Sequence, residues 1–424
     1  DVCIVGSGAD GAVVAARLAE QGLNVVVLEE GGAHSRKDWV ALREEVSYPL
    51  LYQDHGARTT ADRGINILQG RTLGGSTVVN WTTSFRAPSH TLDHWRGVHQ
   101  VEGGSESELR PHYEAVEKRL QVMQWPESLV NENNGALLRG CRALGWEAEV
   151  LRRNVSGCAN TGYCGLGCPL DAKQSMHLTY VPDAVRAGAS VYTDCRAERL
   201  EVDGGRVTRV HAVIMERGAS RSTGARLTVV PKVTVCSAGA INGPALMMRS
   251  GIEGRGEGHR TWLHPVVAVV GVYDRPVQGW YGAPQSVSSH RFIERGRGEV
   301  GFFMEAAPLH PMLVAMSTKV FGRGQEAFLG RLDHSSSLIA LHQDGLLPEE
   351  EGGRVEVRRD GRVRLHYPMG RALTEAFQAS HKALAQVHLA AGATEVATLH
   401  VDPLVLSHDD QLEKLDSALY GTLK

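Results

Sequence analysis

Three glycines near the start of the chain have the spacing that a bound nucleotide phosphate requires. Residues 6–11 read G-S-G-A-D-G, with Gly6, Gly8 and Gly11 at the pattern positions. Gly6 permits a tight turn, Gly8 leaves room for a pyrophosphate beside the backbone, and Gly11 lets a helix pack closely on a strand. Glu29 follows at the distance where a carboxylate can bind a ribose hydroxyl. The spacing predicts a bound dinucleotide, and the alternative is a glycine-rich turn.

A second glycine cluster lies downstream, where residues 70–83 read G-R-T-L-G-G-S-T-V-V-N-W-T-T. Glycines set this close together call for unusual backbone angles or for close approach by a neighbour. The apolar Val78 and Val79, flanked by hydroxyl and amide side chains, suit a loop that lies against a flat polar ring system. The alternative is again a glycine-rich turn.

Short regular elements must position these residues. The apolar runs 2–5 and 25–28 predict buried parallel strands, and residues 12–21 predict a helix between them that ends at Gly22. Glu29 then stands at the tip of the second strand. The order of strand, glycine motif, helix, strand and acid indicates a Rossmann-like unit of about thirty residues.

The composition limits the classes of protein that the chain can belong to. With 424 residues, two domains are expected. A net charge of −3, with charges scattered along the chain, gives no electrostatic basis for binding nucleic acid or an anionic membrane. No uncharged apolar run is long enough to span a membrane. Because the chain starts at Asp1 without a methionine, we expect preceding residues to be missing, and localisation stays undecided.

The sequence GSGADG with Glu29, followed by GRTLGGSTVVNW, resembles the glucose–methanol–choline (GMC) family of FAD-dependent oxidoreductases. The resemblance implies FAD as the cofactor, with the second glycine cluster at its flavin end. The implied flavin-side residues are Gly70, Arg71, Gly74, Gly75, Ser76 and Asn80, with Trp81 and Thr82 next to them. It also implies that Ala197 meets the adenine through its backbone and that Ala238 and Gly239 touch the ribose and phosphates. A nicotinamide enzyme is the weaker interpretation, because it needs no second glycine clamp.

Three of the seven cysteines lie together in the pattern C-x5-C-x3-C-P, at Cys158, Cys164 and Cys168. Thiolates on a glycine-rich loop can hold an iron–sulfur cluster, and a few GMC-type dehydrogenases with a three-iron cluster resemble this spacing. Many GMC members are rich in glycine and cysteine here without a metal, so our assignment is no metal, with these three thiols as iron–sulfur candidates. A disulfide between two of them is also open. No fourth ligand is apparent, which argues against zinc.

These patterns predict an α/β fold with two domains. A Rossmann-like FAD-binding domain is expected over 1–255, with a cap and connecting excursion over 86–180. Apolar or alternating runs between 266 and 342 predict an antiparallel sheet, and the resemblance implies that residues 256–424 form an α+β substrate domain built on this sheet. Asp360-Gly361 predicts a hairpin, and residues 373–390 predict an amphipathic helix. His264, a lone histidine before the sheet, is interpreted as structural.

The family's catalytic histidine lies in a later segment of the form H-x-x-G-T, which the tail of this chain does not contain. His408 is followed by two aspartates and does not match. We therefore expect a fragment of a longer gene product, with the catalytic residue beyond Lys424; a degenerate protein is the alternative.

The resemblance implies oxidation of the CH–OH group of a small-molecule alcohol by hydride transfer to flavin N5. It is closest to the cysteine-bearing branch that includes long-chain alcohol oxidases. The implied electron acceptor is oxygen, a quinone or a redox protein. The alternative function is a non-catalytic FAD-binding or electron-carrier protein.

Overall fold

A computed structural model describes residues 1–418 and 420, except 253, 255, 257, 319, 320 and 349. The predicted domain limit at residue 255 and the last residue, Lys424, lie outside the described residues. The chain forms two compact units whose segments alternate along the sequence, so the FAD-binding and substrate domains over 1–255 and 256–424 stay a prediction. Unit 1 contains Asp1–Asn80, Cys164–Thr261 and Glu351–Pro368, and unit 2 contains Trp81–Tyr163, Trp262–Glu350 and Met369–Lys424.

The helices of the described residues are numbered in chain order. They are α1 (Ala9–Glu20), α2 (Arg36–Trp39), α3 (Glu44–Leu51), α4 (Ser89–Val98), α5 (Glu106–Arg119), α6 (Glu132–Ala143), α7 (Tyr180–Arg186), α8 (Gly239–Arg249), α9 (Pro311–Ser317), α10 (Arg323–Leu329) and α11 (Arg371–Ala390). Among these helices, none combines the length and the apolar character that crossing a bilayer requires.

The strands of the described residues are numbered in the same way. They are β1 (Val2–Val5), β2 (Val25–Leu28), β3 (Val122–Gln124), β4 (Glu149–Val150), β5 (Arg152–Asn154), β6 (Ser190–Tyr192), β7 (Cys195–Asp203), β8 (Arg206–Met215), β9 (Ser222–Val229), β10 (Val233–Cys236), β11 (Val266–Val272), β12 (Val287–Phe292), β13 (Phe302–Ala306), β14 (Ser335–His342), β15 (Arg354–Val357), β16 (Val363–His366), β17 (Glu395–Thr398) and β18 (Val405–Leu406).

Unit 1 is built on a parallel sheet with the strand order β10-β1-β2-β6. Cys3 and Ile4 at its centre are fully buried, and α1 packs against β2 and α7. The predicted Rossmann-like unit is thereby confirmed. The carboxyl ends of β1, β2 and β10 lie at one edge of the sheet, where α/β proteins of this kind bind ligands. Gly6, Glu29 and Ser237 directly follow these three strand ends.

Two prolines mark local breaks on either side of β10. The strand β9 ends at Val229, and β10 begins at Val233. Pro231 lies between them and has no N–H group to donate to a sheet. The helix after β10 begins at Gly239, so Pro244 lies inside α8 rather than in its first turn. Pro244 therefore interrupts one backbone hydrogen bond of this helix.

Unit 2 is built on an antiparallel sheet with the strand order β18-β17-β11-β14-β13-β12-β4, which confirms the predicted sheet type. One face of this sheet packs on α6 and α11. The fully buried core on that face includes Leu137, Val287, Phe302, Leu338 and Leu384. Successive side chains along each strand point to opposite faces of the sheet, so the other face carries a different set of residues.

Candidate cofactor site

The first glycine motif leads directly into α1, with Gly8 as its N-cap residue. Gly6 has φ +99°, and a Cβ there would lie 2.3 Å from the carbonyl oxygen of Ser237. A Cβ on Gly11 would lie 2.0 Å from the Gly6 oxygen. By contrast, a Cβ on Gly8 would meet no heavy atom within 4 Å. The chain itself therefore requires glycine at Gly6 and Gly11, whereas Gly8 borders open space beside the helix N-terminus, where a phosphate fits.

Glu29 is buried at the end of β2 and receives three hydrogen bonds. The backbone N–H and the hydroxyl of Ser7 donate to Oε2, at 2.9 and 2.6 Å, and the N–H of Gly31 donates to Oε1 at 2.8 Å. Burial raises the pKa of Glu29, and these hydrogen bonds oppose that rise. Since each carboxylate oxygen accepts about two hydrogen bonds, Oε1 can accept one more. A ribose hydroxyl is a suitable donor.

The hydroxyl of Ser7 connects the two glycine clusters. It donates to Glu29 and accepts a hydrogen bond of 2.9 Å from the N–H of Gly74. A Cβ on Gly75 would lie 2.8 Å from the Cα of Gly8, so the two loops are in backbone contact. The sequence did not single out Ser7. Its only local signal is a hydroxyl between the first two glycines of the motif.

The second glycine cluster takes its shape from left-handed glycines and an internal hydrogen bond. Gly74 and Gly75 have φ values of +95° and +58°, and the N–H of Gly70 donates to the hydroxyl of Ser76 at 2.9 Å. The side chains of Ser76 and Asn80 are exposed. Their exposed polar groups can contact a ligand on this side of the loop.

Arg71 is held by protein groups. Its guanidinium donates to the carbonyl oxygen of Ala219 at 2.5 Å and to the hydroxyl of Ser220 at 3.3 Å. Its Nε lies 3.6 Å from a carboxylate oxygen of Glu30. The side chain therefore ties the second glycine cluster to the rest of unit 1, which leaves its backbone for the proposed flavin contact.

The other predicted cofactor residues lie outside the two glycine motifs or at the end of the second one. Ala197 is buried in β7, Ala238 is the N-cap residue of α8, and Gly239 is exposed with φ +82°. Trp81 and Thr82 begin unit 2. Thr82 is fully buried with φ +71°, which is strained for a β-branched residue. Such strain persists only where surrounding structure enforces it, and it concentrates at functional sites.

The three clustered cysteines do not form a metal site in the described structure. Cys164 and Cys168 belong to unit 1, and Cys158 belongs to unit 2, where it packs against Trp125 and Val155. Within the described residues, no group of three or more histidine, cysteine or acidic side chains can hold a metal ion. All seven cysteines are thiols, so no disulfide joins any two of them. The assignment of no metal and the iron–sulfur hypothesis for these three thiols both stay predictions.

Unit 2 contains a buried carboxyl group that the sequence analysis missed. Glu305 lies on β13, directly opposite Ser288 on β12, and is 2% exposed. Its Oε1 has no hydrogen-bond partner among the described residues. Burial raises the pKa of Glu305 to about 8, although a hydrogen bond with Thr83 opposes the rise. Thr83 directly follows Thr82, so this carboxyl group contacts the chain next to a predicted flavin-side residue.

Comparison with known families gives two matches along the chain. Residues 48–266 match the family profile described as GMC oxidoreductase. Residues 4–49 match the profile of an NAD(P)-binding Rossmann-like domain. The two matches cover both glycine clusters and the strands β2, β6 and β10 of the parallel sheet.

Curated relatives match nearly the whole chain. An uncharacterised GMC-type oxidoreductase of Mycobacterium tuberculosis is 33% identical over 402 residues, which cover 94% of this chain and 61% of the relative. A long-chain-alcohol oxidase of Arabidopsis thaliana is 30% identical over 415 residues, which cover 95% of this chain and 54% of the relative. The chain thus spans between about half and three fifths of the length of these relatives.

Two solved structures resemble the fold. The pyridoxine 4-oxidase from "Mesorbium loti" superposes with a TM-score of 0.65 at 16% identity and covers 95% of this chain and 87% of its own. A formate oxidase variant of Aspergillus oryzae gives a TM-score of 0.62 at 14% identity, with the same coverage. At such low identity these matches show a shared fold alone.

Proposed function

The chain belongs to the GMC oxidoreductase family, and from this premise we propose that it is the FAD-binding part of an enzyme that oxidises the CH–OH group of an alcohol. GMC oxidoreductases bind FAD, which is therefore the cofactor of this chain. The observation that carries the proposal is the hydroxyl of Ser7, which joins Glu29 to Gly74. This bridge brings both glycine clusters to the ligand-binding edge of the sheet.

The residues that hold FAD in this proposal fall into two groups. The first binds the pyrophosphate and the adenosine, and consists of Gly6, Gly8, Gly11, Glu29, Ala197, Ala238 and Gly239. The second lies at the flavin and consists of Gly70, Arg71, Gly74, Gly75, Ser76, Asn80, Trp81 and Thr82. The N–H groups at the start of α1 bind phosphate oxygens, and Glu29 accepts from the ribose.

When bound, FAD supplies the acceptor for a hydride that leaves the carbinol carbon of the substrate. The residues of this chain would bind and orient the cofactor, and the loop after Gly70 would hold its flavin end. We assign no general base within residues 1–424. Alcohols with a long aliphatic chain are the first substrates to examine, because the Arabidopsis relatives are named long-chain-alcohol oxidases.

The proposal is tested by reduction of the bound flavin. The whole gene product is purified and mixed anaerobically with primary alcohols of increasing chain length, while the absorbance near 450 nm is recorded. Bleaching by one class of alcohol is the expected result. A yellow protein that no alcohol bleaches would instead support the alternative of an electron carrier, and a colourless protein that binds NAD would contradict the choice of cofactor.

Glu29→Ala should weaken FAD binding at least about tenfold. The substitution removes the ribose acceptor and leaves the N–H groups of Ser7 and Gly31 without their carboxylate, and a hydrogen bond to a charged group contributes about 1.5–3 kcal/mol. Flavin content after gel filtration and a fluorescence titration of the apoprotein measure the effect. The control is Glu20→Ala, on the exposed end of α1. Equal affinity in both variants would remove the ribose assignment.

A further inference from the structure

Lys173 is almost completely buried beside the second glycine cluster, at 2% exposure. Its ammonium donates to the carbonyl oxygens of Val78 at 2.5 Å, Asn80 at 2.9 Å and Cys164 at 2.6 Å. We propose that Lys173 is a positioning residue. It fixes residues 74–80, which we call the flavin-side loop, and provides a positive charge next to this loop. This inference rests on the proposed FAD function.

The loop needs such support because it has little regular structure of its own. From Gly74 to Asn80 it contains a single turn of 3-10 helix, at Gly75–Val78. Backbone carbonyls outside regular elements must find other donors when they are buried. Lys173 supplies donors to two of the carbonyls at the end of this loop. An ammonium group carries three N–H donors, which match the three carbonyl oxygens around it.

The segment that carries Lys173 follows the loop at further points. The N–H of Met176 donates to the hydroxyl of Thr77 at 3.0 Å, and that hydroxyl donates to the carbonyl oxygen of Gly74 at 2.6 Å. A Cβ on Gly74 would lie 2.8 Å from the backbone nitrogen of His177. Residues 173–177 therefore support the loop along its length, with the charge of Lys173 at one end.

The third carbonyl oxygen around Lys173 belongs to the cysteine-rich loop. Buried side chains also bind the carbonyl oxygens that follow Cys164 in this loop. Tyr52 donates to Gly165 at 2.6 Å, Ser47 donates to Leu166 at 2.8 Å, and Trp39 donates to Cys168 at 2.9 Å. Residues 164–168 are thus held in place by donors that bind their carbonyl oxygens. Lys173 connects this segment to the flavin-side loop.

A lysine is suited to this task in a way that arginine is not. The ammonium is a compact point charge that three converging oxygens can surround, whereas the guanidinium is a planar fork. A positive charge next to the flavin loop stabilises the reduced flavin, which carries more negative charge than the oxidised form. Substitutions of Lys173 can therefore distinguish the effect of its hydrogen-bond geometry on the loop from the effect of its charge on the reduced flavin.

The experiment uses three variants of the FAD-loaded protein. Lys173→Met removes the charge and keeps an unbranched side chain of similar length, and Lys173→Arg keeps the charge and changes the geometry. The control, Lys232→Met, removes a lysine of unit 1 that is 80% exposed and pairs with Asp1. FAD affinity is measured by titration of the apoprotein, and the two-electron midpoint potential by dye-coupled reduction.

Lys173→Met should weaken FAD binding at least about tenfold and should disfavour the reduced form by a further factor of about ten. The second factor corresponds to a midpoint potential about 30 mV lower. Lys173→Arg should weaken FAD binding while keeping the midpoint potential of the parent. Affinity and potential in Lys173→Met that equal those of the control would overturn the proposal.

If Lys173→Met does not fold, Lys173→Arg decides the matter. Weaker FAD binding with an unchanged potential supports the proposal, and parent-like affinity overturns it. The potential is measured without an alcohol. A protein that binds FAD but oxidises no alcohol would therefore refute the proposed enzyme and leave the role of Lys173 measurable. A parent protein that binds no FAD would overturn both.

Discussion

Replacing Gly8 by alanine should weaken FAD binding about a hundredfold and leave the fold nearly unchanged, whereas Gly11→Ala should destabilise unit 1. A Cβ on Gly8 meets no protein atom within 4 Å, and its φ of −66° suits alanine. The same Cβ would enter the space of the pyrophosphate, and overpacking of this kind costs about 1–3 kcal/mol. At Gly11 the new Cβ would lie 2.0 Å from the Gly6 oxygen, so helix and strand must separate.

The two variants are compared by FAD titration and by thermal unfolding of the apoproteins. Gly8→Ala should lower the free energy of unfolding by no more than about 1 kcal/mol, because alanine is less favourable than glycine at an N-cap position by about this amount. Gly11→Ala should lose about 3 kcal/mol, or about 6–12 °C in Tm. Gly97→Ala is the control, because its Cβ in α4 also meets no atom within 4 Å. Tight FAD binding by Gly8→Ala would place the phosphate elsewhere.

The sequence predicted the parts of the site that depend on short-range order. The strands Val2–Val5 and Val25–Leu28 have the predicted limits, because an apolar run beside a glycine motif is a local signal. The capping box of Ser105 and Glu108 opens α5, and the spacing of these two residues is a local sequence signal as well. In each case residues only a few positions apart determine the structure.

The connections between these parts could not be predicted in the same way. The Ser7–Gly74 hydrogen bond joins residues 67 positions apart, and the Lys173–Val78 hydrogen bond joins residues 95 apart. No periodicity links such residues, since the chain between them must fold first. A buried lysine also contradicts the usual preference of its type for the surface. Only the three-dimensional arrangement of the carbonyl groups shows why it is there.

The hairpin of β15 and β16 could be predicted from the sequence, but the unit to which it belongs could not. Asp360 and Gly361 predict its turn, and the turn forms there. The turn signal does not specify which part of the protein the hairpin joins. In the structure it belongs to unit 1, where Gly353 pairs with Thr261 through two backbone hydrogen bonds. Long-range pairing of this kind has no signature in the hairpin itself.

Glu305→Gln should stabilise the protein increasingly as the pH rises from about 5 to 8. Burial raises the pKa of Glu305 from 4.5 to about 8, so the folded protein keeps this proton while the unfolded chain releases it above its own pKa. The contribution of Glu305 to stability is therefore largest below pH 4.5 and is lost as the pH rises to 8, at a limiting slope of about 1.4 kcal/mol per pH unit. Glutamine stays neutral and avoids this loss.

Urea unfolding of parent and variant at pH 5, 6, 7, 8 and 9 measures the difference in free energy of unfolding. It should be smallest at pH 5, should grow to several kcal/mol by pH 8 and should then level off. Burial lowers the pKa of His177, His310, His342, His381 and His388 to about 4. These histidines weaken both proteins in acid, so their effect cancels in the comparison. Glu102→Gln, which replaces an exposed carboxylate of unit 2, is the control. A free-energy difference for Glu305→Gln that does not change between pH 5 and 9 would show that Glu305 is ionised in the folded protein.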